Sequence, residues 1–133
     1  MKDVKLTITI DRPAYEVFDF TLNPENTPKW IDGIVREQSS ETPTKLGTVY
    51  KNQGQDGKWS EYEITAYEPG TMFVMSKKND NYHVKYTITP LGDNQCELEY
   101  YEWADQGDLA EPFTQDVLQK LKCVIEITSS NSK

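Results

Sequence analysis

Chemistry in this sequence is most readily sought where tyrosines and a glutamate share one face of a strand. In the segment CELEYYEWA, Cys96, Leu98, Tyr100 and Glu102 alternate with Glu97, Glu99, Tyr101 and Trp103, so an extended chain directs Tyr100 and Glu102 to the same side as apolar neighbours. Tyr62 and Tyr86 fall on that same face of their own segments. A carboxylate entering an apolar space must find hydrogen-bond donors or take up a proton, and its pKa rises where burial prevails. The three tyrosine hydroxyls are such donors, which makes Glu102 the one candidate for proton transfer. The competing outcome is a bulge near the strand end that swaps parity, leaving Glu102 in water and Trp103 inside. The rarity of isolated buried carboxylates favours that second outcome.

Other chemistries find little support. His83, the single histidine, alternates with Tyr82, Val84, Tyr86 and Ile88 and so shares the outward face with Lys85, Thr87 and Thr89. With no second histidine and no cysteine cluster, no metal site is expected, and a serine or cysteine triad would have to recruit this outward imidazole. Cys96 and Cys123 have neither disulfide-framework nor metal spacing and read as inert thiols. Gly54, Gly57 and Gly92 are single turn glycines rather than a phosphate loop, so no cofactor is expected.

The elements that must position these residues follow from periodicity. In KLTITI, Val4, Leu6, Ile8 and Ile10 point one way and Lys5, Thr7 and Thr9 the other, the pattern of a half-buried strand. Pro13 suits the first turn of a helix whose apolar stripe is Ala14, Val17 and Phe18. Asn23 then caps a second, very short helix that Pro28 limits. Turn signals at Asp56-Gly57, Pro69-Gly70, 79–81 and 92–94 separate strands expected near 33–39, 46–54, 58–67, 71–77, 81–90 and 95–103. Such short connections force antiparallel neighbours. The closing segment EPFTQDVLQKLKCVIE places Phe113, Val117, Leu118, Leu121, Val124 and Ile125 on one helical stripe, with Pro112 in its first turn.

An antiparallel sheet with one apolar face needs a cover, and this helix is long enough to supply it. The sheet should curl around the helix, and where it curls further than the helix fills, a pocket remains. NPENTPKW then has a purpose: Pro24 and Pro28 shape a corner that aims Trp30 at that gap. There the ring either contacts a ligand at the pocket mouth or simply plugs the end of the core, and the residues leave both open.

At 133 residues the chain is expected to form one domain over its whole length, 1–133. Aromatics at 11% imply an aromatic core. A net charge of −8 repels phosphate backbones and anionic headgroups, so no nucleic-acid partner is expected. With no apolar run of about 20 residues, membrane insertion is not expected, and the direct entry into alternation suggests a cytoplasmic protein.

The first strand, RPAYEVFDF, NPENTPKW, the YEPGTMF hairpin and LQKLKCVIE together resemble the SRPBCC superfamily, the START/Bet v 1-like helix-grip domains, and most of all its polyketide cyclase/dehydrase branch. The resemblance covers nearly the whole chain and rests on diffuse rather than catalytic motifs. It implies an α+β helix-grip fold: six to seven antiparallel strands curved around a long C-terminal helix, with two short helices after the first strand. It implies a tryptophan near the cavity mouth at the position of Trp30. Its leading functional implication is binding of a hydrophobic or aromatic small molecule between sheet and helix, with Trp30, Tyr62, Tyr86, Tyr100, Glu102, Phe113, Val117 and Leu121 as contacts. Two further implications are a polyketide cyclase or aromatase activity assisted by Glu102, and a protein-interaction module of the Hsp90-activator-like kind, its acidic face engaging a basic partner. A monomer or a homodimer is expected.

Overall fold

The structure is a computed structural model and describes residues 2–110 and 112–131, with side chains described to residue 127. Seven strands form one antiparallel sheet: β1 (Asp3–Ile10), β2 (Ile34–Ser39), β3 (Val49–Gly54), β4 (Trp59–Glu68), β5 (Met72–Lys77), β6 (Tyr82–Pro90) and β7 (Cys96–Ala104). Their order is β1-β7-β6-β5-β4-β3-β2, so only β1 leaves the meander, to pair with the last strand. Between β1 and β2 lie α1 (Ala14–Leu22), a 3₁₀ turn (Pro24–Asn26) and α2 (Thr27–Trp30); α3 (Gln115–Asn131) closes the described chain. The curved antiparallel sheet with a C-terminal helix and two short helices is the helix-grip architecture expected of the sequence.

The inward row of β1 ends at fully buried Ile10 and meets the inward row of β7 through an unbroken register from Asp3↔Trp103 to Ile10↔Cys96. From α3, Leu118, Leu121 and Ile125 enter the core, while Cys123 stays on the exposed side. Truncating any one of the three to Ala costs on the order of 2–5 kcal/mol. The N-terminal corner fastens the helix from outside: Arg12 Nη2 donates to the Glu126 carbonyl at 2.6 Å, and Lys122 Nζ donates to the Thr9 carbonyl at 2.9 Å.

Four local expectations are corrected. Pro13 stands at the N-cap of α1 with extended backbone rather than within its first turn. Pro28 does not limit the second helix but lies in the first turn of α2, where its missing N–H costs nothing. Asn23 does cap, its Oδ1 accepting from the Glu25 N–H at 3.0 Å, but what it caps is the 3₁₀ turn. Finally, α3 begins at Gln115, so Pro112 and Phe113 belong to the preceding loop. The Phe113 N–H is already committed to the Glu102 carboxylate, at 3.2 and 3.4 Å to its two oxygens, and its ring stacks on Tyr100 at 4.5 Å. Both contacts hold the residue against β7 and off the helical path.

Candidate functional site

Between the sheet and the helical corner lies a partly open cavity of about 110 Å³. Thr21 of α1, Thr27 and Trp30 of α2 and the adjoining Ile31 form one wall. Across it stand Tyr62 and Met75, then Tyr82, Val84 and Tyr86 of β6, and Tyr100 of β7, while Phe113 closes one end. Ile34, Glu37 and Asn52 on β2 and β3 complete the lining next to Thr27.

Strand pairing explains why so many rings converge. Phe73↔Tyr86 and Tyr86↔Tyr100 are cross-strand partners, and their rings meet at 4.7 Å, stacked, and 5.3 Å, edge to face. Trp30 comes down from α2 onto the same cluster, edge to face with Tyr86 at 6.4 Å and with Phe113 at 6.1 Å. It is 2% exposed. Trp30 and Phe113 also line an outer cleft between α2 and the start of α3, so they act as the partition between cavity and cleft. The core-plug and cavity-mouth positions left open by the sequence are therefore one position.

Of the contacts expected from the sequence, Trp30, Tyr62, Tyr86, Tyr100 and Phe113 line the cavity together. Val117 lines the outer cleft instead, and Leu121, 0% exposed in the core, does not line the cavity.

Glu102 reverses the parity expectation. The ladder of β7 with β1 and β6 runs without a shift, so Glu102 keeps its inward place at 0% exposure. Trp103 faces outward, stacked between His83 at 4.9 Å and Tyr101 at 5.1 Å. The cost of burying the carboxylate is offset by donors: Tyr100 Oη at 3.1 Å, Tyr82 Oη at 3.4 Å and the Phe113 N–H. Burial pushes its pKa up, and these hydrogen bonds pull back against the rise. Glu102 stands behind the tyrosines rather than on the cavity surface, holding two of them and the Phe113 loop in place.

The bulges lie elsewhere, and one of them creates a site residue that strand alternation hides. The register of β2 against β3 shifts between Ile34 and Arg36. Strict alternation from inward Ile34 would send Glu37 outward, but the extra residue leaves Val35 50% exposed and brings Ile34 and Glu37 to the same side. There Glu37 Oε1 accepts from Thr27 Oγ1 at 2.5 Å, and Oε2 meets the Nδ2 of its cross-strand partner Asn52 at 3.5 Å. Burial outweighs these two hydrogen bonds and pushes the Glu37 carboxyl up to about 7. Nothing in the sequence marks this bulge.

The tyrosines respond to the same environment. Burial pushes Tyr62 up to about 12 and Tyr86 and Tyr100 upward, with the Glu37 charge adding to Tyr62 and Tyr86. They remain hydroxyl donors at neutral pH. On the outer face, His83 Nδ1 meets Ser76 Oγ at 2.7 Å and Nε2 meets Asp105 Oδ2 at 2.8 Å. These three do not line the cavity. Among the described residues no cluster suits a metal ion, and no helix is long and apolar enough to cross a membrane.

Comparison with known proteins agrees with this architecture. The sequence profile of the polyketide cyclase/dehydrase and lipid transport family matches residues 1–125. Among solved structures, MLL2253 from Mesorhizobium loti superposes with a TM-score of 0.74 at 16% identity, over 96% of this chain and 98% of that one. A START superfamily protein from Mycobacterium smegmatis gives 0.71 at 15% identity, over 96% and 99% of the two chains. Ara h 8.0201 gives 0.58 at 20% identity, over 93% and 97%. At these identities the structures speak for the shared fold. No curated protein matches the chain significantly.

Proposed function

The chain belongs to the polyketide cyclase/dehydrase and lipid transport family, and from that premise we propose that it binds a small hydrophobic or aromatic molecule in the cavity between sheet and helices. The observation that carries this reading is the cavity itself: a partly open space walled by Trp30, Tyr62, Tyr86, Tyr100 and Phe113, with Glu37, Asn52 and Thr27 gathered on one side. Size narrows the guest. About 110 Å³ is close to the roughly 150 Å³ of a cavity that accepts benzene and well below the roughly 300–1,000 Å³ of drug-sized sites. The resting cavity suits one ring. A larger guest requires the Trp30–Phe113 partition to part, joining the space to the outer cleft those residues share.

Trp30 is the natural reporter. Replacing Trp59 and Trp103 with Phe leaves it as the single tryptophan, and titration with benzyl alcohol and other one-ring compounds is expected to change its emission saturably. A response that only rises linearly with every compound tried would defeat the binding reading.

A second reading, proton-transfer catalysis of the cyclase or dehydrase kind, is favoured by one observation: Glu37 borders the cavity with its carboxyl near 7, where a group serves as base and acid at neutral pH. In that reading Glu37 takes the proton from the bound substrate and returns it to product. Once a substrate is in hand, turnover unchanged in Glu37→Gln would remove it.

A further inference from the structure

We infer that the cavity selects a small ring-bearing amine, its ammonium group held at Glu37, and rejects ligands whose polar end is a carboxylate. The inference rests on the binding reading above and specifies the charge of what is bound.

Charge complementarity is the first ground. Among the described residues no lysine, arginine or histidine lines the cavity, so a carboxylate entering it would shed its water without meeting a cation. The resident ionisable groups are Glu37 and tyrosine hydroxyls, and the chain carries a net charge of −8. The charged features, Glu37 in the wall and the net charge of the chain, favour a positive or neutral guest.

Unused hydrogen-bonding capacity is the second. An ionised carboxylate offers about four acceptor positions. Glu37 engages Thr27 through Oε1 at 2.5 Å, but its Oε2 meets only Asn52, at 3.5 Å, the outer limit for such a bond. Glu102 is the control within the same fold: its oxygens face two tyrosine hydroxyls and a backbone N–H and it does not border the space. Of these two carboxylates, Glu37 is the one whose spare acceptor capacity borders the cavity. An ammonium group would use that capacity and supply the counter-charge that this half-buried carboxyl lacks.

The third ground is the aromatic wall. Trp30 and Tyr86 stand edge to face in the same cavity, so the guest's ring packs against theirs and a nearby cation gains from ring faces. An apolar body with an ammonium at one end matches the wall at both ends.

The test is a series sharing one ring: benzylamine, benzyl alcohol, ethylbenzene and benzoate, titrated into the full chain at pH 7.5 and followed by calorimetry, with Trp30 emission read in the single-tryptophan variant. Benzylamine is expected to bind more tightly than benzyl alcohol and at least about tenfold more tightly than benzoate. Glu37→Gln is expected to weaken benzylamine about tenfold while leaving ethylbenzene within about threefold. Benzoate binding as well as benzylamine would overturn the inference while the cavity reading stands. So would benzylamine affinity unchanged in Glu37→Gln. If none of the four binds, ethylbenzene included, the binding reading falls and takes this inference with it. The wild-type ranking is independent of the variant, so it decides the matter even where Glu37→Gln folds poorly.

Discussion

Two glutamates face the interior of this sheet from opposite sides, and they have different work. Glu102 on β7 is 0% exposed and holds three donors, while Glu37 on β2 is only half-buried and holds one short and one long hydrogen bond. By depth alone Glu102 is the more unusual residue. Yet its acceptors are taken up by the tyrosines and the loop that shape the cavity, whereas Glu37 borders the cavity with acceptor capacity to spare. Burial marks a carboxylate that the fold has had to satisfy; an incompletely satisfied carboxylate beside empty space marks one that a ligand can use.

Substitutions can break this contrast. The largest effect is expected from Glu102→Ala, which strands two tyrosine hydroxyls and the Phe113 N–H in the interior at a cost of about 3 kcal/mol, lowering Tm by about 10 °C. Chemical unfolding measures it, and a loss below about 1 kcal/mol would show that Glu102 is not the anchor described here. Phe113→Ala comes next, at about 2 kcal/mol, since the ring is only partly buried. It opens the partition to the outer cleft, so naphthalene-sized compounds that the wild type refuses should bind, and unchanged size selectivity by calorimetry would rule Phe113 out as the partition.

Glu37 should reveal itself through pH. Its carboxyl is raised from 4.5 to about 7, so the folded state binds more protons than the unfolded state between those values. The associated stability is fully present below about 4.5 and is lost as pH rises through about 7. Relative to Glu37→Gln, the wild type should lose on the order of 2 kcal/mol between pH 4.5 and pH 8. Taking the difference between the two proteins removes the contribution of Glu102, which is raised as well. Parallel stability curves for the two would contradict the raised carboxyl. The smallest effect is expected from Tyr82→Phe, whose hydroxyl reaches Glu102 only at 3.4 Å; removing it should cost about 0.5 kcal/mol in the same unfolding experiment.

How legible each region was in the sequence follows the same division. The β6 and β7 wall could be read because period-two alternation runs through Tyr82 to Ile88 and Cys96 to Glu102 without interruption, and cross-strand pairing then brought the expected Tyr86 and Tyr100 edge to face. The expectation that Glu102 would escape failed because the rarity of buried carboxylates says nothing of local donors, and here Tyr82, Tyr100 and Phe113 supply them. The β2 wall was illegible for a geometric reason. A single inserted residue at Val35 inverts the parity of everything after it, and the partners that fix Glu37, Thr27 and Asn52, are 10 and 15 residues away in sequence. Helical periodicity likewise drew Phe113 onto α3, where its contacts with β7 do not allow it to stay.

The most direct test is a crystal of the protein soaked with benzylamine. The ring is expected in the cavity against Trp30 and Tyr86, with the amine nitrogen within about 3 Å of a Glu37 carboxylate oxygen. Side chains collapsed into that space, or the compound found only on the outer surface, would contradict it.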